Sequence, residues 1–216
     1  MSAEVEIYKP ENHIRVVTAT SLFDGHDAAI NIMRRILQDT GVEVIHLGHN
    51  RSVQEIVDAA IEEDVQGVAV SSYQGGHLEF FRYLLDLLKE RGAPHIKIFG
   101  GGGGVIVPEE IEELESYGIT KIYSPEDGTK MGLQGMINHM VQCMDFATVK
   151  DEPFSFDGIS PDNKRLVANL ITAAEQAKAK EDGHLAALRA EMAKKIGDRR
   201  TPVIGITGTG GRASLH

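Results

Sequence analysis

Apolar residues recur along the chain with two alternating periods. "HIRVVTAT" (13–20) is a β-branched apolar run, and from residue 28 the spacing turns helical: Ala29, Ile32, Met33, Ile36 and Leu37 form one stripe, stopped by Gly41. "VEVIHL" (42–47) predicts a second strand. Ser52 and Glu55 then make a capping-box pattern for a helix to about Asp64. "VQGVAVSS" (65–72) is nearly all apolar, as expected of a strand covered on both faces of a parallel sheet. A helix with Leu78, Phe81, Leu84, Leu85 and Leu88 inward ends at Gly92. "HIKIFG" (95–100) predicts a fourth strand, and "PEEIEELESYG" (108–118) a helix opening on proline and acids, which suit a helix N-terminus. "ITKIY" (119–123) predicts a fifth strand and residues 129–144 a closing helix.

Five such alternations predict an α/β fold, a doubly wound parallel five-stranded flavodoxin-like (Rossmann-like) sheet over residues 13–145, with residues 1–12 as an N-terminal tail. Residues 146–162, with scattered charge, Pro153 and Pro161, are expected to be a linker. Helical periodicity returns over 163–200, interrupted at Gly183, and predicts a C-terminal helical appendage that packs on the sheet domain or on a partner, a second copy included. "TPVIGITGTGG" (201–211) has the pattern of a strand entering a glycine turn.

The chain has 216 residues, 42% of them apolar, enough for a sizeable core. A net charge of −10 argues against nucleic acid, whose phosphates call for a basic surface. No apolar run suits a membrane span, and the first 12 residues lack a signal peptide's apolar core. One cysteine, Cys143, suits a reducing cytoplasm and is expected to be a core residue.

In doubly wound sheets ligands bind beyond the C-terminal ends of the strands. There the sequence places "FDGHDA", "GHNRS", "SSYQGGH", "GGGGGVIVP" and "SPEDG", so every polar or glycine-rich cluster of the domain falls on one edge. Asp24, two positions before His26, can orient the imidazole, the usual support of a metal-bound histidine. Five successive glycines (100–104) suggest the close approach of something bulky. A dinucleotide fits poorly: G-x-G-x-x-G, started anywhere in that run, never meets its last glycine. Zinc on His26, His46, His49 and His77 fits poorly too, because His46 sits in an apolar strand pattern and no cysteine joins the set.

Asp24-Gly25-His26-Asp27, then Ser71-Ser72-Tyr73 with Gly75-Gly76-His77, then Gly103-Gly104-Val105, resemble the D-x-H-x-x-G … S-x-L … G-G pattern of cobalamin-binding domains. The resemblance covers about residues 13–145. It implies adenosylcobalamin bound base-off, with His26 as lower cobalt ligand and Asp24 on its other nitrogen. It also implies a nucleotide tail threaded between sheet and helix, with Ser71 on the tail's benzimidazole nitrogen and Gly103 and Gly104 keeping the slot clear. Ser124 and Pro125, in the last edge segment, complete the expected cofactor contacts. Two positions depart from the pattern, Ala29 for its last glycine and Tyr73 for its leucine.

"SLFDGHDAAINIMRRIL", "VIHLGHNRSVQEIV", "SSYQGGHLEFFRYL" and "FGGGGGVIVPEEI" resemble the N-terminal part of the fused isobutyryl-CoA mutase family. That family continues through a P-loop GTPase domain to a substrate-binding barrel. "GITGTGG" (205–211) is similar to a P-loop start, but no Lys or helix completes it, so a truncated cofactor module is expected, without turnover of its own. The alternatives are a stand-alone cobalamin carrier or light sensor, for which no helix-turn-helix pattern speaks, and a scaffold with a decorative glycine loop.

Overall fold

The computed structural model describes residues 5–149, 156–180, 183–198 and 202. Five parallel strands, β1 (Arg15–Ser21), β2 (Glu43–Arg51), β3 (Gly67–Ser71), β4 (Lys97–Gly101) and β5 (Lys121–Tyr123), lie in the order β2-β1-β3-β4-β5. This is the flavodoxin-like winding. The chain leaves β1 for β2 on one side, then crosses to β3 on the other, so the loops after β1 and β3 diverge and open a crevice.

Helices cover both faces. α2 (Val53–Glu62), α3 (His77–Glu90) and α4 (Pro108–Tyr117) follow β2, β3 and β4. Their core joins Val17, Val68, Val70 and Ile98 of the sheet to Ile56, Phe81, Leu84 and Leu114. α1 (Ala28–Asp39) and α5 (Pro125–Met144) cover the opposite face, where Val16, Ala69 and Phe99 pack with Leu37, Ile137, Met140 and Met144. The alternation of Val16/Val17 and Ala69/Val70 between the two cores is the period-2 strand geometry.

The Ser52–Glu55 capping box is formed: the Glu55 N–H donates to Ser52 Oγ at 3.3 Å, and the Ser52 N–H to Glu55 Oε2 at 2.9 Å. The Gly92 stop is formed as well, with φ 73° and the Ala93 N–H on the Leu88 carbonyl at 2.8 Å.

Three elements differ from the sequence pattern. β2 runs on to Arg51 through "GHNR", because an edge strand pairs with β1 through its backbone and needs no apolar side chains, and the register shifts where Gly48 turns to φ 83°. α5 begins at Pro125, four residues early, capped by Ser124 and Asp127; its two helical runs meet at Gly132, which is not helical (φ 66°). Ile32 of the α1 stripe is 52% exposed, while Ile30, off the stripe, is buried.

The appendage is two helices, α6 (Lys164–Lys180) and α7 (His184–Ile196), with Gly183 left-handed at φ 87° before α7. α6 docks on the sheet edge opposite the crevice. Arg15, at the start of β1, donates to Thr172 Oγ1 at 3.1 Å and pairs with Glu175; Asn169 donates to Asp64 Oδ1 at 2.9 Å. Of the linker and tail, the described residues 146–149 and 156–162 form no helix or strand, and the Tyr8 hydroxyl ties the N-terminal segment to Asp145 at 2.8 Å. The P-loop-like stretch, 202 apart, lies outside the described residues. No described helix is long and apolar enough to cross a membrane.

Candidate cofactor site

The loop after β1 carries Asp24, Gly25, His26 and Asp27. Asp24 is 2% exposed, and its two oxygens accept three N–H groups. Oδ1 takes the His26 backbone N–H at 2.9 Å and the His26 ring Nδ1 at 2.7 Å; Oδ2 takes the backbone N–H of Tyr73, in the loop after β3. Burial opposes ionisation of Asp24, but the Tyr73 and His26 N–H groups outweigh it and hold the carboxyl below the usual carboxylate range. An ionised carboxylate only accepts, so Nδ1 carries the proton. The neutral tautomer then offers Nε2 as a ligand atom, on a side chain 74% exposed. The Tyr73 ring faces the imidazole, with centroids 5.5 Å apart.

Tyr73 also borders a cavity of about 400 Å³ between the sheet and helices α1 and α5. Its walls are apolar, with Ala29, Ile30 and Met33 from α1, Phe99 from β4, and Leu133, Met136 and Met140 from α5. Gly100, Gly101, Gly102 and Gly103 form one side, Ser124 and Pro125 another, and Ser71 contributes a hydroxyl. Ser71 Oγ is buried and has no hydrogen-bond partner. A buried hydroxyl without a partner costs about 1–3 kcal/mol, so its presence in an apolar slot calls for a ligand acceptor or donor. At the rear wall, burial pushes the Tyr123 hydroxyl up, and it bonds His139 Nδ1 at 2.7 Å.

The glycines serve different ends. A Cβ on Gly102 would lie 2.2 Å from the Ser72 carbonyl oxygen, and one on Gly103 would lie 2.5 Å from the Tyr73 ring. A Cβ on Gly104 meets nothing closer than Pro125 at 3.8 Å, and Gly104 does not line the cavity; its φ of 106° is what calls for glycine. Gly100–Gly103 line the slot and Gly104 does not, although a Cβ on Gly100 would turn toward Phe81 and Ile122 in the opposite core.

Several residues singled out in the sequence stand off the slot. Ser72 is fully buried and accepts the Ser21 hydroxyl at 2.9 Å. Gly75, Gly76 and Val105 lie outside the cavity lining. The buried His77 turns to Glu110 of α4, with Nε2 2.9 Å from its carboxylate. His46 bonds Thr18 Oγ1 at 2.9 Å, and burial pushes its ring down. Among the described residues no three His, Cys, Asp or Glu side chains converge as a metal cluster. Cys143 is partly buried, which raises its thiol above the usual range.

The chain is similar to parts of acyl-CoA mutases and to a cobalamin-binding protein of known structure. The fused isobutyryl-CoA mutase of Geobacillus kaustophilus (strain HTA426) is 61% identical over 208 residues, 95% of this chain and 19% of the relative. The 2-hydroxyisobutanoyl-CoA mutase small subunit of Aquincola tertiaricarbonis is 36% identical over 109 residues, 50% of this chain and 79% of that subunit. A cobalamin-binding protein from Desulfitobacterium hafniense DCB-2 superposes with a TM-score of 0.51 at 25% identity, covering 61% of this chain and 59% of the other. The chain spans about a fifth of the length of the fused relatives it matches. The family described as the B12 binding domain matches residues 14–131, from the first strand through the glycine wall into α5, and the chain belongs to that family.

Proposed function

We propose that this chain binds adenosylcobalamin base-off, with His26 as lower cobalt ligand, as the cofactor module of a carbon-skeleton acyl-CoA mutase interconverting isobutyryl-CoA and n-butyryl-CoA. One observation carries the reading: an apolar slot with a single orphaned hydroxyl, Ser71, borders the ring of Tyr73, which faces an exposed imidazole oriented by a buried carboxylate. That arrangement fits a cofactor with a metal to be ligated and a mostly apolar heteroaromatic tail to be buried.

His26 Nε2 would hold the cobalt. Asp24 keeps the proton on Nδ1 and raises the ring's basicity. Ser71 would donate to the tail's benzimidazole nitrogen, and Gly101–Gly103 would line the slot without side chains. Ala29 and Tyr73 both border the slot, so they shape the tail's fit. When bound, the cofactor supplies homolysis of its cobalt–carbon bond, which opens the rearrangement; this chain contributes the ligand, the slot and their orientation. The fused relatives, of which this chain spans about a fifth, support a setting in which the module is part of a longer mutase chain, and the mutase small subunit supports one in which it is a separate chain.

The test is His26→Ala. Cobalamin affinity should fall at least about tenfold, the order seen when metal-site partners are lost, and the visible spectrum should lose its imidazole-ligated form. Unchanged affinity and spectrum would refute the assignment.

A further inference from the structure

His77 is used by none of the above, yet it is 4% exposed and both its ring nitrogens are engaged. Nδ1 lies 3.1 Å from the Gln74 backbone carbonyl and Nε2 lies 2.9 Å from Glu110 Oε2. The ring thus bridges an oxygen of the loop after β3 and an oxygen of α4, one at each nitrogen. Glu110 also takes the Val107 backbone N–H at 3.0 Å, and that bond, followed by His77, holds its carboxyl below the usual range.

The two loops so joined border the slot at Tyr73, Gly102 and Gly103. Residues 72–76 precede α3, and residues 102–107 precede α4. Between them the Ser72 N–H donates to the Gly101 carbonyl at 2.8 Å, and Gly102 and Gly103 approach Ser72 and Tyr73 too closely for any Cβ. The buried Ile106 anchors the strip at its far end, while residues 101–105 themselves carry one side chain heavier than hydrogen.

We propose that His77 and Glu110 form a hydrogen-bonded latch that holds the glycine strip against the loop after β3, and so sets the tail slot for the cofactor. His77 is a positioning residue: it reaches the slot through the backbone of both loops. The inference rests on the cobalamin reading above. The groups facing the ring are few. Glu110 comes from α4; residues 101–107 hold no titratable side chain; Tyr73, in the other loop, faces His26. Along α3 the nearest charges are Glu79 and Arg82, and Arg82 is paired with Glu113 of α4.

The experiment titrates the full chain and three variants with cobalamin and with cobinamide, which lacks the tail. Both ligands meet His26 alike, so the ratio of their dissociation constants reads the slot alone. His77→Ala removes both contacts and should cut cobalamin's advantage about tenfold, the order of one charge-assisted hydrogen bond, while cobinamide affinity holds. Glu110→Ala removes the partner on α4 and should cut the advantage as well. His77→Gln can still donate to Glu110 and should recover part of it, with urea unfolding showing that each variant is folded. An advantage unchanged in His77→Ala, or an equal loss for both ligands, overturns the latch. Equal binding of the two ligands by the wild type overturns the slot reading itself, and this inference with it.

Discussion

Substituting alanine in turn at Gly102, Gly103 and Gly104 should produce three different defects, because each Cβ meets a different obstacle. At Gly104 the Cβ makes only an ordinary contact with Pro125 at 3.8 Å, and the cost is the backbone at φ 106°, a conformation that L residues rarely adopt. Left-handed backbone costs roughly 1–2 kcal/mol, and cobalamin affinity should stay within about threefold of the wild type. At Gly103, φ 56° is the milder left-handed region, but the Cβ falls 2.5 Å from the Tyr73 ring, which must move. That ring borders the slot and faces His26, so stability should fall by about 1 kcal/mol while affinity falls tenfold or more. At Gly102 the obstacle is the Ser72 carbonyl oxygen at 2.2 Å, where a carbon and an oxygen normally stay about 3.3 Å apart. Backbone cannot rotate away as a side chain can. The ends of β3 and β4 must part by roughly 1 Å, breaking the bond from the Ser72 N–H to Gly101, at a cost above about 3 kcal/mol. Urea unfolding gives the stabilities and spectrophotometric cobalamin titration the affinities. If Gly104→Ala proves more destabilising than Gly102→Ala, or Gly103→Ala leaves affinity untouched, the assignment of glycines to roles is wrong.

Asp24→Asn keeps one carbonyl oxygen but sets an amide donor against a backbone N–H inside the protein. It should cost about 2–4 kcal/mol in urea unfolding and weaken cobalamin binding at least about tenfold; a neutral substitution would remove Asp24 from both roles. The Ser52 N–H and hydroxyl, with Arg51, pull Glu55 down to about 2 from its ordinary 4.5. Its contribution to α2 is therefore complete above the ordinary value and is lost as pH falls from there through about 2. Glu55→Gln should flatten the thermal-stability profile over that window and change little at neutral pH, and an unaltered acid profile would count against the capping box as its source.

The sheet was legible because four of its strands are β-branched apolar runs, and the edge strand's polar extension was not, because backbone pairing leaves no mark on side-chain pattern. The slot hid for a related reason. Met33, Met136 and Met140 line a cavity, yet helical periodicity treats them as core, since an apolar wall looks the same from the sequence whether it faces a side chain or a vacant space. Asp24 beside His26 was readable from spacing. Its bond to the Tyr73 backbone was not, because any residue at position 73 except proline would present the same N–H. The direction of His77 depended on where α4 places Glu110, a fact that only the packed helices supply.

Asp24 has a consequence for thermodynamics. One carboxylate holds both the imidazole of the first crossover loop and the main chain of the third strand's loop, the two lips of the crevice. Spreading the lips removes the anchor from His26, and pulling His26 aside loosens the lips. On the proposed reading, occupancy of the slot and ligation at the imidazole would therefore be coupled through this one carboxylate. By reciprocity, whatever factor the first contributed to the second, the second would return to the first, so a tail and a metal on one molecule would each favour the other's binding.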